Sequence, residues 1–440
     1  MHVRAGALAT AVLAAVGGLL PGCGAATRDS RLDAQAEAYV RIVLALGERD
    51  RDSLDFYAGP PEWQREVRAA NAPLPAVRQS ALDLRAAIAR DDGSETPDGG
   101  RRRFLLRQLD AVVARVDVLA GAGWSFARES RELFGVDVPP LPPPSAELDG
   151  IRGELDRRLP GVGPLGRRFA EYERRFVVAP SRLDAVMTRA LELCRRATRA
   201  QISLPDGEGV RVEYGARMPW SAFTTYEGRA QSRIRVRAGV GLTVDGALQL
   251  ACHEAYPGHH TIDTLIDATF PDRVELSVVP LFSPFAFATE AAASYAPALA
   301  FTPDERLRVE RDELFPLAGI DPALAADSLA TARLVEALRP VEGAIAQRFV
   351  DGDLEFARAA AALEDEALVP SADATLKFLN EFRSYGVTYT LGRDRVASAI
   401  EAAGAGGGPD DRWRAYQAWI LGAIDGPKAT SAVDLKAHRP

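Results

Sequence analysis

Residues 251 to 260 read ACHEAYPGHH, and the way this stretch folds decides how the rest of the chain is read. A helix that presents a zinc site carries two histidines four residues apart, with a glutamate directly after the first, because that spacing puts both imidazoles on one face. Here His253 and Glu254 are in place, but Pro257 stands where the second histidine would fall. In an unbroken helix His260 would lie nearly on the face of His253 yet about 10 Å along the axis, and His259 would point about a third of a turn away. Pro257 removes a helical hydrogen bond and clashes with the carbonyl of His253 four residues back, and Gly258 beside it lets the chain bulge. The spacing therefore predicts a two-residue Pro-Gly bulge that delivers His259 to the place of the missing histidine. His260 is a close competitor, or a group that supports a ligand.

The distribution of histidine supports a metal site. The chain has five, His2, His253, His259, His260 and His438, so all but the two near the termini fall within eight residues. Burial of a lone imidazole is commonplace, whereas clustering of three is the composition of a metal centre. An oxygen ligand is expected from the segment AFATEAAASYAPAL, where Glu290 sits among small residues that let helices approach closely; Asp263 and Asp267 are weaker candidates. Three protein ligands leave a position for water, whose pKa beside zinc falls to about 7. Glu254 would then take its proton. In FRSYGVTYTLG, Tyr385 and Tyr389 stand four apart on one helical face after Arg383, so a phenol or the guanidinium could hold a developing oxyanion. Core tyrosines beside a solvated arginine fit the same spacing.

Before the motif the period changes from helical to alternating: VRVEYG, AFTTYEG and SRIRVRAG read as three short strands of a small antiparallel sheet. This puts the motif on a helix that starts near Thr243 and follows an edge strand. Most of the remaining chain carries helical stripes, such as Leu105, Leu109, Val112, Val116 and Leu119, with a helix start expected at Ser181. The run VPPLPPPSAELD is a stiff connector, and GAGGGPDD is a turn without the lysine of a phosphate loop. With 440 residues and 47% hydrophobic composition there is material for a large core, while a net charge of −8 gives no reason to expect nucleic acid. The start, MHVRAGALATAVLAAVGGLLPGC, has the form of an export signal ending in a lipobox-like Leu20-Pro21-Gly22-Cys23. Residues 1–22 are thus expected to be a leader, 23–30 a tether with a lipid anchor at Cys23, and 31–440 one large domain, with a helical layer over about 31–205 and a catalytic part over about 206–440. Besides Cys23, only Cys194 and Cys252 occur, as a disulfide or as two buried thiols.

The motif HEAYPGHH, the segment TEAAASYA, the preceding strand and RSYGVTYTLG together resemble the bacterial family known as domain of unknown function 885, many of whose members are lipoproteins. That resemblance implies a mainly helical, zincin-like metallopeptidase fold, with the layout of Taq-type carboxypeptidases. It implies a metal on the motif histidines and Glu290, with Glu254 catalytic and Tyr389 nearby. Many members have Glu-Gly-Trp-Ala-Leu-Tyr where this chain has Glu290-Ala291-Ala292-Ala293-Ser294-Tyr295, and Pro-Gly-Gln where it has Arg383-Ser384-Tyr385, so the pocket wall is altered. The expectation is an exported, envelope-anchored zinc hydrolase holding one ion and cleaving short peptides. The competing readings are a non-catalytic envelope protein that keeps the metal for stability or partner binding, and a hydrolase of another amide or an ester.

Overall fold

The computed structural model describes residues 30–90, 98–139, 145–215, 220–237, 239, 241–404 and 408–425. The leader, Cys23 and the tether lie outside these residues, as do parts of the proline-rich connector and of the glycine-rich turn. The protein is mainly α-helical with two small sheets. Among the described residues no helix is long and apolar enough to cross a membrane.

The helix Pro284–Ala300 forms the axis of the molecule. Phe285, Ala291, Ala292, Ala293, Tyr295 and Leu299 are all buried, so nearly its whole circumference is covered. Its alanines are what make this possible: on the neighbouring helix Leu391–Gly404, a Cβ added to Gly392 would lie 2.9 Å from the Cβ of Ala291. The motif helix Val244–Glu254 and the C-terminal helix Pro409–Asp425 pack on other sides of it. The Leu105 stripe lies where the periodicity puts it: Leu105, Leu109, Val112 and Val116 are buried in the helix Gly99–Leu119, and Leu119 is half-buried at its end.

Cys194 and Cys252 are bonded to each other, which tethers the helix Pro180–Arg199 to the motif helix one residue before His253. Closing a loop with a sequence separation of 58 removes unfolded-state entropy equivalent to about 4 kcal/mol. That helix starts at Pro180 after Ala179, with no side-chain cap, instead of at Ser181: proline at the first helical position has no amide to satisfy, so the cap is dispensable. Thr243 does cap the motif helix, its hydroxyl accepting from the amide of Gly246.

The sheet before the motif departs from the expected one. Strands β2 (Gly209–Gly215), β3 (Ala222–Gly228) and β4 (Gln231–Arg237) are arranged in the order β2-β4-β3, with β3 antiparallel and β2 parallel to β4. The sheet is therefore mixed, and the strand that leads into the motif helix is central rather than an edge. Alternation of side chains fixes which face is buried but not which strand pairs with which. The deciding element is the β3–β4 hairpin, turned through Arg229 and Ala230 at φ of 53° and 54°, a primed turn that matches the twist of the flanking strands. Periodicity also passed over β1 (Leu54–Tyr57), which pairs antiparallel with β5 (Val278–Pro280) and carries the N-terminal layer to the site.

Candidate metal centre

The motif is resolved into two helices. The motif helix ends at Glu254, and a second helix, His259–Thr269, starts at His259. The break between them is larger than the expected bulge: a turn over Ala255 to Gly258 re-aims the chain, with a cis peptide bond between Tyr256 and Pro257. The Gly258 amide donates to the carbonyl of Cys252 at 2.9 Å, and the Thr261 amide to that of Ala255 at 3.1 Å. A Cβ on Gly258 would lie 1.7 Å from the carbonyl oxygen of His253, so only glycine fits. From the C-terminal helix, the buried Tyr416 hydroxyl lies 2.9 Å from the Pro257 carbonyl and 3.3 Å from that of Ala292, which fixes the turn against the Glu290 helix.

This turn brings His253 and His259 together at Glu290. His253 Nε2 lies 3.1 Å from Glu290 Oε1, and His259 Nε2 lies 3.4 Å from Glu290 Oε2. The two rings are nearly perpendicular, with centroids 4.9 Å apart. One ligand atom from each of the three residues falls within 4.8 Å of the other two, so the group could hold a metal ion. The donor set fits such an ion. Glu290 is buried, and its Oε1 has no hydrogen-bond partner despite the nearby ring nitrogen; a buried carboxylate beside two imidazoles is stabilised by a positive charge among them, which a metal ion or a proton on a ring nitrogen supplies. Burial disfavours a charged imidazole at His259, yet the neighbouring Glu290, with Glu254 and Asp263 further off, holds its pKa at about 10. Burial likewise opposes ionisation of Glu290, but His259 and His253 hold it well below the usual carboxylate range.

Glu254 is buried beside this group, on the wall of the same cavity. The Thr224 hydroxyl, on β3, lies 2.6 Å from Glu254 Oε2 and 2.9 Å from its carbonyl oxygen, which fixes the carboxylate and leaves Oε1 free of this contact. Sequence reading did not single out Thr224; an edge-strand residue facing a helix end has no local signature.

Tyr385 and Tyr389 both line the cavity, although not by the helical face expected for them. Residues Arg383–Thr388 form a 3-10 segment that turns the two rings toward each other, with centroids 5.8 Å apart. The Tyr385 hydroxyl donates to Glu290 Oε2 at 3.4 Å. Burial, reinforced by the charge of Glu290, pushes both phenols well above their usual pKa, so each keeps its proton and can donate it in a hydrogen bond.

His260 and Arg383 take no part in the cavity. Both ring nitrogens of His260 are engaged in the core: Nδ1 is 2.8 Å from Ser232 Oγ, and Nε2 is 3.1 Å from Glu208 Oε2. Adjacent helical residues point about 100° apart, so once His259 faces the cavity its neighbour cannot. Arg383 donates from Nε to the buried Glu129 at 2.6 Å and from Nη2 to the Trp124 carbonyl at 3.3 Å. A buried carboxylate needs a counter-charge, and this one takes the guanidinium out of reach of the site. Asp267 accepts from the Tyr226 hydroxyl at 2.7 Å, outside the ligand group, while Asp263 lines the cavity without joining that group.

Two carboxylates escaped the sequence reading. Glu208 gathers Arg195, Arg199, Tyr256 and His260 around itself. Burial opposes its ionisation, but hydrogen bonds from His260, Tyr256 and Arg195 bring its pKa down to about 2. Asp55, from β1, lines the metal cavity opposite the motif. Desolvation by the surrounding cavity pushes its pKa up although the residue keeps exposed surface, with His259 opposing and Glu290 and Glu254 adding to the rise; that of the half-buried Asp263 rises to about 7 through desolvation, again opposed by His259 and raised further by Asp55. The short Leu-Asp-Phe alternation ahead of Gly59-Pro60 was the available signal for Asp55.

Comparison with known proteins gives a fold and little more. No family model and no curated protein matches the chain. A crystal structure described as "the putative lipoprotein from Colwellia psychrerythraea" is similar with a TM-score of 0.50 and 15% identity, over 83% of this chain and 69% of that one. A second, "a putative lipoprotein of unknown function from Shewanella oneidensis", has a TM-score of 0.38 and 14% identity, over 90% and 72% of the two chains. The first likeness is one of fold alone; the second is too loose to carry an argument. What fold and site define together is a mainly helical protein with a His253, His259 and Glu290 group able to hold a metal ion.

Proposed function

We propose that the chain is an exported zinc-dependent hydrolase, a metallopeptidase of short peptides with the carboxypeptidase-like, zincin-like layout of the domain of unknown function 885 family. The observation that carries this reading is the convergence of His253, His259 and Glu290 beside a carboxylate, Glu254, that is held in place and not itself one of the group. A purely structural metal site closes its coordination with protein ligands and needs no such neighbour. Envelope anchoring through Cys23 is part of the proposal and accords with the lipoprotein whose fold this chain shares.

Zinc, when bound, supplies a Lewis acid and lowers the pKa of water. The protein supplies the rest. Glu254, oriented by Thr224, takes a proton at Oε1 and returns it to the leaving amine. Tyr385 and Tyr389 remain protonated in their buried setting and donate hydrogen bonds to negative charge as it develops on the substrate oxygen. Strand β3 is the edge of its sheet and lines the cavity, so an extended peptide added along it is favoured over an ester.

Elemental analysis of wild-type protein together with Glu254→Gln tests the proposal. The variant is expected to keep its zinc and to lose about 10²- to 10⁴-fold in peptide cleavage. A carefully prepared wild type without metal would sink the reading. So would a Glu254→Gln protein that cleaves peptides as well as the wild type, and a profile in which only esters or non-peptide amides are hydrolysed would reassign the substrate.

A further inference from the structure

The cavity around the metal group is unusual in its charge. It carries four carboxylates, Asp55, Glu254, Asp263 and Glu290, and no lysine or arginine, in a chain with 53 basic residues. When all four are ionised, a divalent ion on Glu290 and the histidines offsets two negative charges and leaves two. Among the described residues, Asp55 and Asp263 have no hydrogen-bond or ion-pair partner, unlike Asp267, which is tied to Tyr226. They come from different parts of the chain: Asp263 lies one turn beyond His259 on its helix, while Asp55 is brought in by β1, the strand that joins the N-terminal layer to β5. Glu290, whose Oε1 has no hydrogen-bond partner, lines the same cavity. Aromatic side chains of Trp220, Phe223, Tyr226, Tyr385 and Tyr389 complete the wall.

Asp55 is exposed and Asp263 half-buried; carboxylates left without a protein counter-charge beside aromatic rings favour a cation, since ammonium and guanidinium groups are stabilised both by the carboxylates and by ring faces. The contrast with the adjoining groove is informative. That groove shares His253, Glu254 and Tyr389 with the cavity but carries Arg306, Arg339 and Arg393, which are paired with Asp245 or Glu336. Charge there is balanced within the protein, whereas in the metal cavity it is left for a ligand to balance.

We propose that Asp55 and Asp263 form a cation-recognising subsite beside the metal, and that the substrates are peptides presenting an ammonium or guanidinium group next to the cleaved bond. This deepens the hydrolase reading and rests on it for the word substrate, but the subsite is testable without cleavage. On zinc-loaded protein, titration calorimetry with glycyl-lysine amide and with glycyl-norleucine amide, which lacks the side-chain charge, each with a free and an acetylated amino group so that acetyl-glycyl-norleucine amide is the neutral reference, reads the subsite directly. The cationic forms are expected to bind about tenfold tighter for each carboxylate engaged. Asp55→Asn and Asp263→Asn should each reduce that advantage, with zinc content unchanged by elemental analysis. An advantage that disappears on acetylation assigns the subsite to a free amino terminus; one that follows lysine assigns it to a side chain.

Where cleavage is detected, the same selectivity should appear in KM rather than in kcat. Equal binding of cationic and neutral peptides, or a cationic advantage that both variants retain, overturns the proposal whether or not anything is cleaved. Loss of zinc in either variant also overturns it, by making the carboxylate a support of the metal. Wild type that binds cationic peptides selectively but cleaves none overturns the hydrolase reading and leaves the subsite standing.

Discussion

His259 and His260 are consecutive and have opposite fates. His259 faces a cavity and meets Glu290 with a nitrogen still able to take a ligand, while His260 is fully buried with both nitrogens committed to Ser232 and Glu208. The first side of the helix is arranged to receive something and the second is closed. The difference is set by the Pro257-Gly258 turn, which fixes the rotation with which the second helix leaves His259.

The largest effect is expected where both sides depend on one atom. In Gly258→Ala the new Cβ collides with the His253 carbonyl, so the turn must move, and a loss of about 3 kcal/mol or more should coincide with loss of metal. Thermal unfolding with elemental analysis would check this; a variant that keeps both properties would break the account of the turn.

Next in size is the split between the two histidines. His260→Ala leaves Glu208 buried with a reduced set of partners, and about 3 kcal/mol of stability should be lost while the metal stays. His259→Ala should instead abolish metal binding, and in the apo-protein it also removes one of the two imidazole partners of Glu290. Urea unfolding and metal analysis of the pair decide it, and metal loss in His260→Ala alone would exchange the two roles.

Acid sharpens the closed side further. The folded pKa of Glu208 is about 2 against an ordinary 4.5, so its contribution is fully present above about pH 4.5 and is lost as the pH falls toward 2. This amounts to about 2 kcal/mol once partial screening is allowed for. Glu208→Gln should therefore be less stable at neutral pH and show a flatter decline across that window in circular dichroism. The smallest effect belongs to the open side: Thr224→Val, which frees the Glu254 carboxylate, should slow peptide turnover about tenfold, or about 1.4 kcal/mol of barrier, with zinc content unchanged.

Much of this contrast could be read before folding was considered. Local chemistry named His253, Glu254 and Glu290, and the rule that proline cannot continue a helix pointed to His259 ahead of His260. The same local rules gave no reason to single out Glu208 or Thr224, each a single polar residue in a short strand or loop, and offered for Asp55 only a brief Leu-Asp-Phe alternation. They also overreached with Arg383, whose place in a motif gave no hint that buried Glu129 would claim it.

Which residue types could meet a metal, and that the motif helix must break, follow from the local chain alone, because backbone sterics and side-chain chemistry are properties of a few neighbouring residues. Strand order, the partner of His260, the pairing of Cys194 with Cys252 and the arrival of Asp55 in the cavity were decided only by the tertiary structure. Each depends on which distant segments share the core around the Glu290 helix, and packing of that kind is a collective property that no local pattern encodes.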